Sequence, residues 1–166
     1  MKILFLDCDG VLNDDETKDY IKTSDNKKYM AHGLMSYIGL DLFRIKYIRN
    51  IVKNTNCKIV ISSSWRYDKI AKEYLIKRLG KGTAKCIIDS TPYLISSKRF
   101  TEIKTWLDNH KNIKSFVVLD DIDTHEGLEN FGRNFICTTH IIDGVRKVGM
   151  TENDMNLAIS ILNENN

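Results

Sequence analysis

Two aspartates near the start of the chain, Asp7 and Asp9, stand two residues apart and are followed by Gly10. They come directly after residues 2–6, an apolar run of the kind that forms a buried strand in a parallel sheet. Paired carboxylates at a strand end can bind a cation or take part in proton transfer. An Asp–Gly pair is also common in ordinary turns, so these residues alone leave both interpretations open.

Two other apolar stretches are also followed by polar clusters. Three serines at 62–64 follow residues 58–61, and two aspartates at 120–121 follow residues 115–119. Alone, the serines could form a helix-start loop and the aspartates a solvated strand end. Ligands of an open parallel sheet bind beyond the carboxyl ends of its strands, so we expect all three clusters to lie at one edge.

Carboxylates that converge on one edge repel each other, and burying them together is costly unless a cation neutralises them. Ligand sets made only of oxygen suit a hard cation, and Mg²⁺ is the natural candidate. The three clusters together therefore favour a metal-containing site over three unrelated turns.

The elements that must position these clusters alternate between strands and helices. Strands are predicted over residues 2–6, 58–61, 85–88, 115–119 and 134–137. The residues expected to begin helices are Asp41, Asp68, Ser97 or a neighbour, and Thr151 with Asp154. The second helix is expected to end at Gly80. This alternation predicts an α/β fold with three α/β/α layers, Rossmann-like, around a mainly parallel five-stranded sheet.

Length and composition are those of one ordinary globular domain, with 166 residues, 42% hydrophobic and 28% charged. The net charge of +3 does not establish a nucleic-acid partner. None of the four cysteines has metal-ligand spacing, and the apolar start is too short for a signal peptide or a membrane span. We therefore expect a cytoplasmic protein with reduced thiols, no membrane partner and no obligate protein partner.

The motifs resemble those of the haloacid dehalogenase-like (HAD) superfamily. Residues 5–12 are similar to its first motif, Asp-x-Asp-Gly-Thr/Val, and Ser62 is similar to its second. A basic residue at a helix start, followed by the aspartates at 120–121, resembles the third and fourth. The chain resembles one branch in particular, the HAD domain related to Swiss army knife RNA-repair proteins. This resemblance is carried by residues 59–66, Arg99, 102–103 and 106–107.

The resemblance implies a HAD core with a minimal cap or flap, and a phosphatase mechanism. Asp7 would attack phosphorus and form an aspartyl-phosphate, while Asp9 would act as general acid and then general base. HAD phosphatases have this second aspartate and dehalogenases lack it, so the resemblance argues against dehalogenation. The Ser62 hydroxyl and the Ser63 N–H would bind a phosphoryl oxygen. Arg99 would neutralise the phosphoryl group and the nucleophile.

Several assignments stay open at this stage. Lys98 is the alternative to Arg99 as the residue that neutralises the phosphoryl charge, but Arg99 is preferred because it fits the pattern of this branch. Lys98 could bind the substrate. The resemblance implies that Mg²⁺ is held by the side chains of Asp7 and Asp121 and by the main-chain carbonyl of Asp9. Asp120 would orient this set or contribute through a water. Sequence does not decide between Asp120 and Asp121 as the direct ligand.

Two residues that follow the serine cluster could contact the substrate. Arg66 could bind a second anionic group. Trp65 is interpreted as a core residue, with base stacking as the alternative.

Only residues 13–40 could form a flap over the site, so the resemblance implies a weakly capped, open site. An open site suits a large substrate, such as a nucleic-acid end or a phosphoprotein. Basic residues near the predicted mouth, namely Arg66, Lys98 and Arg99, would attract polyanions. The first hypothesis is a phosphomonoesterase acting on nucleotides or nucleic-acid ends, including a 3′-phosphate. The alternatives are a phosphoprotein or small-metabolite phosphatase, phosphotransfer to an acceptor other than water, and a non-catalytic binding or regulatory module.

Overall fold

The computed structural model describes residues 1–14, 17, 39–95 and 98–164. Five parallel strands form the central sheet, in the order β3-β2-β1-β4-β5. Their bounds are β1 Lys2–Leu6, β2 Lys58–Ile61, β3 Ile87–Ser90, β4 Ser115–Asp120 and β5 Phe135–Cys137. The predicted α/β class is therefore confirmed, although β3 begins two residues later than predicted.

The longer helices in the described part of the chain are α1 Leu42–Thr55, α2 Lys69–Ala84, α3 Arg99–Asn109, α4 Thr124–Phe131 and, after the last strand, α5 Glu152–Asn163. The Asp41 and Asp68 side chains accept main-chain N–H groups at the starts of α1 and α2, as predicted. The predicted capping box at the start of α5 is also present. The first helical segment of α2 ends at Gly80, as predicted, because the φ of 76° and ψ of 157° at this residue are not helical. A second, short helical segment then continues to Ala84.

The structure describes the start of α3 and the predicted flap only in part. Ser97 lies outside the described residues, and Lys98 occupies the N-cap position without a side-chain capping bond. Of the predicted insertion at 13–40, the structure describes residues 13, 14, 17, 39 and 40.

Side chains of β1 alternate between the two faces of the sheet. Leu4 and Leu6 pack in a core cluster with α1, α2 and α5, whereas Ile3 and Phe5 pack in a second cluster with α3 and α4. Apolar burial on both faces is the reason why β1 is apolar throughout its interior rather than alternately polar. The result is the predicted three-layer arrangement.

The carboxyl ends of β1, β2 and β4 lie at one edge of the sheet. Leu6 pairs in register with Ile61 of β2 and with Leu119 of β4. The residues that follow these three positions are polar, and the parallel register brings them to one edge of the sheet: Asp7, Ser62 and Asp120.

A short antiparallel hairpin, which the sequence prediction missed, follows β5. It consists of β6 Thr139–Ile142 and β7 Val145–Val148. Its two turn residues, Asp143 and Gly144, have φ values of 52° and 76°, as a two-residue hairpin turn requires. No helix in the described part of the chain is long and apolar enough to cross a bilayer.

Candidate active site

Asp7 lies at the carboxyl end of β1, where its N–H still donates to the Leu119 carbonyl at 3.1 Å. Its side chain is buried. The chain then turns at Gly10, whose φ is 71°. A Cβ atom at this glycine would collide with the Asp121 carboxylate, so the close approach of the first loop to the end of β4 requires glycine.

Arg99 joins two buried carboxylates. Its Nη1 lies 2.5 Å from Oδ2 of Asp7 and 2.9 and 3.0 Å from the two oxygens of Asp120. Burial alone would lower the pKa of the guanidinium, but attraction to Asp7 and Asp120 outweighs it and raises that pKa. The first residue of α3 therefore carries a permanent positive charge into the acidic cluster.

The acidic cluster consists of Asp7, Asp120 and Asp121, each of which offers an oxygen within 4.8 Å of the others. Burial raises the pKa of Asp120 to about 7, and the Asp7 charge adds to this while Arg99 opposes it. Burial and the Asp7 charge also raise the pKa of Asp121. Three carboxylates around one guanidinium leave an excess of negative charge, which a cation would relieve.

The donor set fits Mg²⁺. Oδ1 of Asp7 is buried and has no hydrogen-bond partner among the described residues, although its companion Oδ2 is bound by Arg99. Asp120 is fully buried, and its carboxylate accepts from Arg99 and from the Ile122 N–H at 3.2 Å. Asp121 is only half-buried. Oxygen ligands of mixed burial, with one unpartnered atom, suit a hard cation.

The serine loop, residues 62–64, lies beside the acidic cluster. The Ser62 N–H donates to the Leu6 carbonyl at 3.0 Å, while its buried hydroxyl has no partner within the described ranges. Ser63 is also buried, and its hydroxyl accepts the Trp65 N–H at 3.3 Å to begin a 3₁₀ turn at Ser64–Tyr67. An unpartnered buried hydroxyl next to a carboxylate is a natural donor to a phosphoryl oxygen.

Both oxygens of Asp9 accept hydrogen bonds from buried side chains. Trp65 Nε1 donates to Oδ2 at 2.8 Å, and Asn13 Nδ2 donates to Oδ1 at 3.0 Å. Trp65 is fully buried, so the core interpretation is confirmed and base stacking on this residue is excluded.

Sequence reasoning missed Asn13, whose side chain also accepts the Gly10 N–H at 3.0 Å and donates to the Gly39 carbonyl at 3.0 Å. An asparagine three residues after a tight glycine was the available signal, since its short amide can bond the local main chain.

Arg66 requires a correction. Its side chain is only 5% exposed and binds the carbonyls of Ser62 and Ser63 at 2.5 and 2.8 Å and the carboxylate of Glu102 at 2.5 Å. It therefore supports the serine loop through the main-chain carbonyls of this loop, and its guanidinium is engaged by these partners rather than by a second anionic group of the substrate.

Lys98 is also displaced from its predicted place. Its ammonium forms an exposed ion pair with Glu126, so Arg99 alone of this basic pair reaches the carboxylates. Of the predicted site residues, the structure therefore brings together Asp7, Asp9, Ser62, Ser63, Arg99, Asp120 and Asp121.

Comparison with known protein families gives a match over most of the chain. The family model described as "HAD domain in Swiss Army Knife RNA repair proteins" matches residues 3–155, which is most of the chain. No curated protein and no solved structure matches significantly. The matched segment contains the loop after β1, the serine loop, the start of α3 and the aspartates at the end of β4. The chain therefore belongs to the family of HAD domains found in Swiss Army Knife RNA repair proteins.

Proposed function

We propose that the protein is a Mg²⁺-dependent phosphomonoesterase that works through a phosphorylated Asp7. The observation that carries the proposal is the state of the Asp7 carboxylate. One of its oxygens is held by Arg99, and the other is buried without a partner among the described residues. The unpartnered hydroxyl of Ser62 supplies a donor at the same sheet edge. Membership of a HAD family supports the same reaction class.

The reaction would proceed in two balanced steps. The Asp7 carboxylate attacks phosphorus, the bond from phosphorus to the leaving oxygen breaks, and Asp9 gives that oxygen a proton. A water then attacks the phosphorus of the aspartyl-phosphate, and Asp9 takes a proton from that water. The bond between phosphorus and the Asp7 oxygen breaks, which releases inorganic phosphate and restores the Asp7 carboxylate. Arg99 and the serine loop would stabilise the charge on the phosphoryl oxygens in both steps.

The metal would be held by the side chains of Asp7 and Asp121 and by the main-chain carbonyl of Asp9. Asp120 is better placed to orient Arg99, because its carboxylate already accepts from that guanidinium and from the Ile122 N–H. When bound, Mg²⁺ would neutralise negative charge on the phosphoryl group and on the aspartates.

We further propose nucleotides or nucleic-acid ends, including a 3′-phosphate, as the substrate class. The family description, which places such domains in RNA repair proteins, supports this choice. The mildly basic chain is compatible with a polyanionic substrate but does not by itself favour one.

Release of inorganic phosphate from p-nitrophenyl phosphate, with and without Mg²⁺, tests the reaction. We expect metal-dependent turnover by the wild type and background turnover by Asp7→Asn, which keeps the volume of the side chain. Equal rates for the two proteins would contradict the mechanism. Comparison of a 3′-phosphorylated oligonucleotide with free nucleotides then tests the end preference, and faster turnover of free nucleotides would contradict a 3′-terminal substrate.

A further inference from the structure

Two tyrosines form an exposed aromatic pair at the edge of the sheet that carries the site. Tyr67 is 54% exposed and Tyr93 is 68% exposed. Their ring centroids are 5.3 Å apart and their planes meet at 81°, so one ring meets the other edge to face. We call this pair the aromatic corner.

The aromatic corner lies next to the serine loop. Tyr67 ends the 3₁₀ turn that begins directly after Ser63. Tyr93 follows β3, in a segment whose first residue, Thr91, donates its N–H to the Ile61 carbonyl at 3.0 Å. Both tyrosines therefore stand beyond the carboxyl ends of β2 and β3, at the edge where a phosphoryl group would bind.

Arg66 connects the aromatic corner to the serine loop. Its Cζ lies 4.2 Å from the ring centroid of Tyr67, while its Nη1 binds the carbonyls of Ser62 and Ser63. A single guanidinium group thus separates the Tyr67 ring from the residues proposed to bind the phosphate. It also covers one face of that ring and holds it in place.

Glu102 connects the second tyrosine to the same support. Its Oε2 binds Arg66, and its Oε1 accepts the N–H of Leu94, the residue after Tyr93, at 3.3 Å. The Arg66 and Glu102 side chains are 5% and 8% exposed. A buried ion pair therefore fixes the segments of both exposed tyrosines relative to the serine loop.

We propose that Tyr67 and Tyr93 bind the nucleobase of the nucleotide whose phosphate is removed, by stacking on the aromatic corner. This inference rests on the proposed function and assigns the residues that would recognise the base of its substrate. Every nucleobase has an aromatic face, so stacking tolerates any sequence and suits an enzyme of nucleic-acid ends. Tyr93 is the more exposed ring and offers the stacking surface, while Tyr67 sets its orientation.

The test compares substrates that differ only in the base. One pair is a 3′-phosphorylated oligonucleotide with a normal or an abasic last residue, and the other is a nucleoside 5′-monophosphate and ribose 5-phosphate. The variants are Tyr93→Leu, which keeps apolar bulk without an aromatic face, and Tyr93→Phe, which keeps the face. p-Nitrophenyl phosphate is unsuitable because its own ring could stack.

The measured quantity is the ratio of kcat/KM for the base-carrying substrate to that for its base-free partner. We expect the ratio for the wild type to exceed one in at least one pair of substrates. In Tyr93→Leu this ratio should be about tenfold lower, whereas Tyr93→Phe should keep the wild-type value. A wild-type ratio near one, or an unchanged ratio in Tyr93→Leu, would overturn the proposal. Faster turnover of a phosphotyrosine peptide than of any nucleotide would overturn it in favour of a peptide substrate.

Failure of the proposed function has a different signature. Base-free substrates measure the phosphatase reaction independently of the aromatic corner. If neither these substrates nor the base-carrying ones were turned over, the proposed reaction itself would be contradicted. Binding of the same labelled oligonucleotides, measured by fluorescence anisotropy, then decides the stacking proposal. Tighter binding of the normal end than of the abasic end, lost in Tyr93→Leu, would support it, and equal binding would overturn it.

Discussion

The indole nitrogen of Trp65 donates a hydrogen bond of 2.8 Å to Oδ2 of Asp9. Because Trp65 is fully buried, this donor cannot turn away without a change in the core. Asn13, also buried, holds the other oxygen of the same carboxylate at 3.0 Å. The proposed general acid is therefore oriented from two sides by side chains that would not touch the substrate.

We predict that Trp65→Phe lowers kcat about tenfold with little change in KM, because the variant keeps most of the core volume but removes the indole donor that orients the Asp9 carboxylate. General acid–base catalysis contributes about 10²–10⁴ in rate, and loss of orientation removes part of that. Steady-state kinetics on p-nitrophenyl phosphate measures the effect.

Trp106→Phe is the matched control. Trp106 is also buried, and its Nε1 donates to an aspartate outside the site, Asp89, at 2.6 Å. Each variant loses one N–H and a similar volume, so we expect similar losses of stability. An equal fall of kcat in Trp106→Phe would show that general packing, and not the orientation of Asp9, is responsible.

The neighbouring residues Arg99 and Lys98 give a second contrast. We predict that Arg99→Ala lowers kcat by about 10²–10³, the usual effect of removing one donor to a developing anion. Lys98→Ala should change kcat on the same small substrate by less than about twofold, because its exposed ion pair with Glu126 lies apart from the carboxylates. Comparable losses in both variants would contradict the assignment of Arg99.

The fold and the convergence of the site residues on one edge of the sheet could be predicted, because both depend on local sequence patterns. Asp41 and Asp68 begin helices through bonds to main-chain groups two or three residues away. Strands without polar interruptions indicate a parallel sheet, and a parallel sheet brings its strand ends to one edge. The polar residues after β1, β2 and β4 could therefore be grouped without knowledge of any side-chain contact.

Contacts between distant residues could not be predicted in this way. Arg66 follows the serine loop as a substrate-binding arginine would, yet it binds Glu102, 36 residues away, and turns its guanidinium to main-chain carbonyls. The bond between Trp65 and Asp9 likewise depends on how the core packs. The hairpin is a different case, because its local signal, Asp143 followed by Gly144, was present in the sequence and was overlooked.

The corrected role of Arg66 leads to a stability prediction. Arg66→Ala would leave the carboxylate of Glu102 buried without its charged partner, and we expect it to lower the free energy of unfolding by about 3–5 kcal/mol. The double variant Arg66→Met/Glu102→Leu should recover only part of this loss. Neither charge is then buried, but the carbonyls of Ser62 and Ser63 lose their donor. Urea unfolding of the single and double variants measures the coupling. A substrate-binding arginine would instead give unchanged stability and a raised KM.

The acidic cluster makes the stability of the metal-free protein depend on pH. The pKa of Asp120 is raised from 3.8 to about 7 by burial and by Asp7, against the opposing effect of Arg99. Between these two pH values the folded protein binds more protons than the unfolded chain, so this group lowers stability as pH rises. Above about pH 7 its full cost is present. Mg²⁺ competes with the proton for the cluster, so it should bind more tightly at higher pH.

We therefore predict that Mg²⁺ raises the Tm of the protein more at pH 8 than at pH 6. At a concentration 100 times Kd, a ligand adds about 2.7 kcal/mol, which corresponds to an increase of about 5–10 °C for a chain of this size. Thermal unfolding with and without Mg²⁺ at both pH values measures it. Asp120→Asn removes the titrating carboxylate but keeps its shape, and should reduce the difference between the two pH values. Equal increases in Tm at pH 6 and pH 8 in the wild type would contradict a cation bound in competition with this proton.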